Sequence, residues 1–413
     1  MQSSSTHTGK RDHRVDFFRG VALAMIFINH IPGNFWENMT SRNFGFSDSA
    51  ELFVFLAGYA SAFAYGRPFL GGHRLVVSLK AWRRAGTLYL VHTALTLFAV
   101  GFFAWAALIF GDGGILAAND LAPIVTDPLN TLVGLATLGH QLRFVNILPM
   151  YVALLVMLPA LLALTIAVGR NGMVLGAFLL WAFAALFWLN LPNHPYSGGW
   201  FFNPFAWQLI FAIGLNCGLA RLSGEQAVPY SRPLYIAALA YLAGSFLFIE
   251  FEMWGFERDF GLPVMLSGFD KTYVSLPRLL HLLALVYVFA HAPRESVFSR
   301  ISADNPFTRL GRHSLPVFAT GTALALVVQV VKFGEPPQHL RDTLLIAAGL
   351  GLQFGLAHFL DWWRTAGQAI RKPAPIPAAA QPRPVRAAEA MAERAPPDGA
   401  GQAGMLTARA FKG

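Results

Sequence analysis

The chain has 413 residues, of which 55% are hydrophobic, 14% aromatic and only 13% charged, with a mean hydropathy of +0.48. Such a composition excludes an ordinary water-soluble domain of this length and indicates an integral membrane protein. The net charge of +9 calls for no nucleic-acid partner, because it reads as the basic cytoplasmic rim and tail of a membrane protein lying against anionic lipid.

Apolar stretches near the ~20 residues that a bilayer core requires recur at 17–36, 50–66, 86–110, 145–168, 173–191, 205–221, 233–249, 277–292, 314–331 and 342–360. The expected fold is therefore all-α, a bundle of about ten transmembrane helices. With the N-terminus placed inside, most of the 31 lysines and arginines fall on inner segments, which predicts that both termini are cytoplasmic. Residues 1–15 read as a cytoplasmic N-terminal segment without a secretory cleavage site, and 16–362 as the membrane domain. The stretch 363–413 is rich in Pro, Ala, Arg and Gln and reads as a disordered cytoplasmic tail. Cys217 is the only cysteine, so an intramolecular disulfide and a thiolate metal cluster are excluded.

The first span carries Asp16, Arg19 and His30. Asp16 precedes Arg19 by three residues and can pair with it on one helical face. Arg19 and His30 are eleven apart, close to three turns, so they are expected on one face roughly 16 Å apart along the axis. Ionisable groups at membrane depth default to a functional reading. Arg42 follows in an outer loop, and then Asp48 and Glu51 open the second span on the side of His30. Glu51 suits a helix N-terminus through the dipole, while a carboxylate next to His30 would orient the imidazole and raise its basicity. Both readings stand. The inner loop with Arg74, Arg83 and Arg84 is equally well a topology signal or a landing site for a phosphate-rich donor.

The long outer connection 111–144 includes a stretch, 131–140, that could be re-entrant or interfacial, and it closes on Arg143. An uncharged loop from 190 to 208 combines aromatic residues with Asn203 and Gln208, a mixture that fits an interfacial aromatic belt and also fits sugar recognition. Arg278 and His281 share a face at the outer end of the eighth span, where they could receive an anion or could snorkel and pack. The segment Leu310-Gly-Arg-His-Ser314 on the inner side reads as a cap and anchor. No Walker loop, GxSxG elbow, HExxH or dinucleotide fingerprint occurs.

The Arg19-x10-His30 pair within Asp16-Phe-Phe-Arg-Gly20 resembles the hallmark of acyltransferase family 3, the ten-helix membrane O-acyltransferases. His30-Ile-Pro-Gly33, the run from Arg42 through Asp48 and Glu51 to Tyr59, Asn203-Pro-Phe-Ala-Trp-Gln208 and Leu310 to Pro316 are similar to the OpgC family, over about residues 11 to 362. That family is associated with succinylation of osmoregulated periplasmic glucans in Gram-negative bacteria. In the wider superfamily a further Arg often follows the basic pair of the third helix, whereas here Arg83-Arg84 is followed by Thr87 and Tyr89.

The resemblance implies a multi-pass inner-membrane enzyme with no bound cofactor, taking an acyl group from an acyl-CoA, succinyl-CoA in the family, to hydroxyls of a periplasmic glucan. Candidate catalytic residues are His30, as base or acyl carrier, with Arg19, Asp16 and Glu51. Candidate donor contacts are Arg74, Arg83 and Arg84, and candidate acceptor contacts are Asp48, Arg42, Asn203, Gln208, Arg278 and His281. No metal site is expected, and a homodimer is left open. Two other classes fit the polar residues: a transporter or flippase of a polar or anionic solute, and a structural subunit of a glycan-assembly complex.

Overall fold

A computed structural model describes residues 12–371 except 118, 256–262, 294, 297 and 299. The chain forms two compact units, 1–361 and 362–413. Of the second, only 362–371 is described; the rest of the expected tail and residues 1–11 lie outside the described residues.

Every regular element among the described residues is helical. The principal ones are α1 (His13–Asn29), α2 (Ser49–Ser61), α3 (Arg74–Phe110), α4 (Pro128–Ala136), α5 (Ile147–Phe187), α6 (Pro204–Leu222), α7 (Arg232–Glu250), α8 (Leu276–Ala290), α9 (Pro306–Arg312), α10 (Ser314–Val331) and α11 (His339–Arg371). Six of them, α3, α5, α6, α7, α10 and α11, are long and apolar enough to cross a membrane. The ten expected spans thus reduce to six by this measure, for physical reasons. The fourth and fifth expected spans are the two helical halves of α5, separated at the non-helical Gly169 (φ 76°, ψ 168°), while α1, α2 and α8 are shorter. Helix α11 continues to Arg371, past the boundary expected at 362.

Local chemistry sets several helix starts. Asp12 caps α1 by accepting from the Arg14 N–H at 3.0 Å. Asp48 caps α2 in a complete capping box: its side chain accepts from the Ala50 N–H, and Glu51 accepts from the Asp48 N–H at 3.0 Å. Asn203 and Asn305 each precede a proline and cap α6 and α9. A π turn over 62–66 prolongs α2.

Two helix crossings are close enough to touch backbone to backbone. Helix α2 packs on α6, where a Cβ on Gly58 would lie 2.0 Å from the Phe211 carbonyl oxygen and one on Gly214 would lie 2.1 Å from that of Phe55. Helix α1 packs on α9 through Gly20 and Gly311 in the same reciprocal way. Small residues at such crossings are how helices gain contact in lipid, where no hydrophobic drive separates them from the solvent. Helices α5 and α3 flank this centre, and α7 pairs with α8 at its side.

Candidate active site

Three helix ends converge: the C-terminus of α1 and the N-termini of α2 and α8. Beside them a cavity of about 810 Å³ opens, lined by His30 and Asn29 from α1, Asp48 to Ala50 from α2, and Lys271 and Arg278 from the approach to α8 and its first turn. The connection between α3 and α5 adds Asp120, His140, Arg143 and Phe144, and the loop before α6 adds Asn193, Tyr196, Phe201 and Phe202.

His30 closes α1 as its C-cap residue (φ −83°, ψ 2°), one position beyond the last helical residue. Its backbone is held twice: its N–H donates to Ile26 at 3.0 Å, and its carbonyl accepts from Gln329 Nε2 at 2.6 Å. Its ring lies 5.1 Å from that of Phe144. The Nδ1 atom is buried and has no hydrogen-bond partner among the described residues. Both carboxylates expected near the imidazole are engaged by cations. Glu51 is fully buried and accepts from Arg278 through Nε at 2.8 Å and through Nη2. Asp48 accepts from Lys271 and lies 3.5 Å from Arg278 Nη2.

Burial opposes ionisation of Asp48, but Lys271 and Arg278 outweigh it and hold the carboxyl below the usual carboxylate range. Burial likewise pushes His140 below the ordinary imidazole value, although its Nε2 meets the Asp120 carbonyl at 2.8 Å. The lining as a whole carries four cationic side chains, Arg42, Arg143, Lys271 and Arg278, against the carboxylates of Asp48 and Asp120. Each of the four is paired with a carboxylate: Arg42 with Glu37, Arg143 with Asp120, Lys271 with Asp48, and Arg278 with Glu51 behind the cavity.

The other residues singled out from sequence divide into four groups. Arg42 lines the cavity, exposed and 3.4 Å from Glu37. Asn203, Gln208 and His281, expected as substrate contacts, do not line this cavity. Asn203 caps α6 and donates to the Leu189 carbonyl at 2.7 Å; Gln208 donates to the Ala177 carbonyl at 2.7 Å. His281 Nδ1 lies 2.7 Å from Ser47 Oγ, and its ring packs against Gly45, where a Cβ would fall 1.9 Å from Nε2. All three hold loops and helices that shape the cavity from behind.

Arg19 and Asp16 lie lower on α1, outside the cavity lining, with Nη1 and Oδ1 3.8 Å apart. Arg19 also donates to the Leu56 carbonyl of α2 at 3.1 Å. Arg74, Arg83 and Arg84 are exposed on the first turns of α3. Arg83 sits about 30 Å along that helix from Phe103, at 1.5 Å per residue. Lys80 lies over the Tyr65 ring, 5.9 Å from its centroid.

Sequence reasoning assigned no role to Lys271, Phe144, Asn146 or Tyr196. Their only signal was membership of loops rich in polar and aromatic groups, and loop residues declare their neighbours only through the fold.

The family model described as OpgC protein matches residues 11–365. The chain belongs to the OpgC family. No curated protein and no solved structure matches it. OpgC membership points to a glucan-modifying transferase of the membrane, and among the described residues the cavity at His30 has the shape and side chains for a polar substrate.

Proposed function

We propose that this chain is an inner-membrane O-acyltransferase of the acyltransferase 3 type, moving a succinyl group from succinyl-CoA to hydroxyls of a periplasmic glucan. The observation that carries the reading is the His30 imidazole, which lines a large cavity rich in paired charges and whose buried Nδ1 has no hydrogen-bond partner among the described residues. With both termini cytoplasmic, the cavity faces the periplasm and the basic start of α3 faces the cytoplasm.

In this scheme the glucan hydroxyl approaches His30 from the cavity. The imidazole takes the hydroxyl proton as the oxygen attacks the thioester carbonyl; the carbon–sulfur bond then breaks, and the imidazolium returns its proton to the departing thiolate. Arg19, held by Asp16 and by the Leu56 carbonyl, steadies the donor from below. Arg83 and Arg84 meet its phosphates. An acyl group that ends in a carboxylate would compete with Glu37, Asp120 and Asp48 for the Arg and Lys side chains of the lining, which bind carboxylates through charge-assisted hydrogen bonds.

The test is transfer by the purified full-length chain in nanodiscs, read as free thiol released from succinyl-CoA and alkali-labile acidic ester gained by the glucan. Wild type should yield both in equal amounts, and His30→Ala, present at the same folded level, neither. Equal turnover by the two proteins removes His30 from the chemistry. Absence of ester with the wild type overturns the acyl-transfer reading.

A further inference from the structure

A second cavity of about 370 Å³ adjoins the first, and the two share Arg143 and Phe144. It is walled by the turn after His30, by Phe103 of α3, by Ile115 and Asn119 of the following connection, and by the segment after α10. His30 stands at the partition. Its ring touches Phe144, and Gln329, which binds its carbonyl, lines the second cavity.

As in the larger cavity, no cation of this smaller space is without a carboxylate partner. Its charges are already paired: Arg143 with Asp120 at 3.7 Å, Lys332 with Asp342 at 2.8 Å, and Glu335 with Arg341 at 3.6 Å. An anion would find no uncommitted cation. Asn119 is only 4% exposed and lines the cavity, and its Oδ1 is buried without a hydrogen-bond partner among the described residues. Buried polar atoms of native proteins are nearly always satisfied, so this oxygen is an acceptor waiting for a donor. Phe103, Phe144 and Phe333 add aromatic surface. A neutral ligand with hydroxyl donors and an apolar ring face meets all of these features.

We propose that the smaller cavity binds the sugar unit adjacent, along the glucan, to the unit presented to His30. The polymer then spans the partition, with one unit on each side of Phe144. This rests on the glucan-modifying reading, and it adds a subsite that makes recognition depend on chain length. A hydroxyl of the neighbouring unit donates to Asn119 Oδ1, and its ring face lies against phenylalanine.

Equilibrium binding without donor tests it, using the full-length protein in nanodiscs with glucose and with linear glucose oligomers of two to four units. Wild type should bind the oligomers about tenfold or more tighter than glucose. Asn119→Leu and Phe333→Ala should each remove most of that gain while holding glucose affinity within about twofold, the usual scale for a contact the ligand does not make. If the wild type shows no gain with length, or if the gain survives in both variants, the subsite is wrong. Should one variant fail to fold, the other and the wild-type series still decide. A length-dependent gain lost in the variants, without acyl transfer in the turnover assay, keeps the subsite and overturns the acyltransferase reading; transfer without a length-dependent gain does the reverse.

Discussion

Helices α6 and α7 have the same length, 19 residues, and both are apolar enough to cross a membrane, yet 67% of the most apolar window of α6 is buried and only 11% of that of α7. The difference lies in small and polar residues and not in apolarity. Helix α6 carries Gly214 and Gly218 against α2 and fully buries Gln208, whereas Gly244 in α7 has nothing within 4 Å of a Cβ placed on it. In lipid, hydrophobicity brings a helix into the bilayer, but close backbone approach and satisfied polar groups decide whether it sits at the centre or the rim.

Substitutions at matched positions can break that comparison. Gly214→Leu should leave no folded protein, because the branched side chain would have to displace the α2 backbone, a strain at or above the ~1–3 kcal/mol usual for overpacking. Fluorescence-detected size exclusion reads this directly, and a monodisperse peak at wild-type yield would show that the crossing is not tight. Next in size is Arg278→Met, which strands the fully buried Glu51 and should destabilise by about 3–5 kcal/mol, seen as a lower midpoint of thermal unfolding. A midpoint equal to that of wild type would mean that the pair is not formed.

His30→Ala should slow transfer about 10²–10⁴-fold with an unchanged unfolding midpoint, which separates the cavity wall from the helix crossings that hold it. Arg83→Ala is expected to act on the donor alone, raising its KM with little change in kcat; a loss confined to kcat would move Arg83 away from donor binding. The smallest effect belongs to the rim. Gly244→Ala should be neutral or stabilise by at most about 1 kcal/mol, the helix-propensity difference between the two residues, and a marked loss of folded protein would show that α7 has an unseen neighbour at this face.

Asp48 gives these comparisons a pH axis. Its carboxyl is held below the usual range by Lys271 and Arg278, so its contribution is present above the ordinary carboxylate pKa and is lost as pH falls through the depressed value. Between pH 5 and 7 this group should leave the unfolding midpoint flat, and Asp48→Asn should lower the midpoint equally across that window.

Much of the scaffold was legible in the sequence because its signals are local. Apolar length marked the helical stretches, the gap expected between the fourth and fifth spans at 169–172 contains the break at Gly169, and Asp48 three residues before Glu51 forms a complete capping box. The site was legible only in part. His30, Asp48, Arg42 and Arg278 line one cavity, but Asn203, Gln208 and His281 looked equally suitable from sequence and turned out to hold the backbone behind it. A buried amide or imidazole that satisfies a carbonyl has the same sequence signature as one that binds a substrate.

By itself, the sequence determined that this chain is an apolar, helical membrane protein, roughly where its apolar stretches lie, and which family it resembles. The first two follow from hydropathy over about 20 residues. Only the tertiary structure decided which polar groups meet, since the link between Glu51 and Arg278 and the approach of Phe144 to His30 join residues far apart in the chain. Those encounters depend on backbone contacts such as Gly58 against Phe211 and Gly20 against Phe307, and no local pattern encodes where two helices will cross.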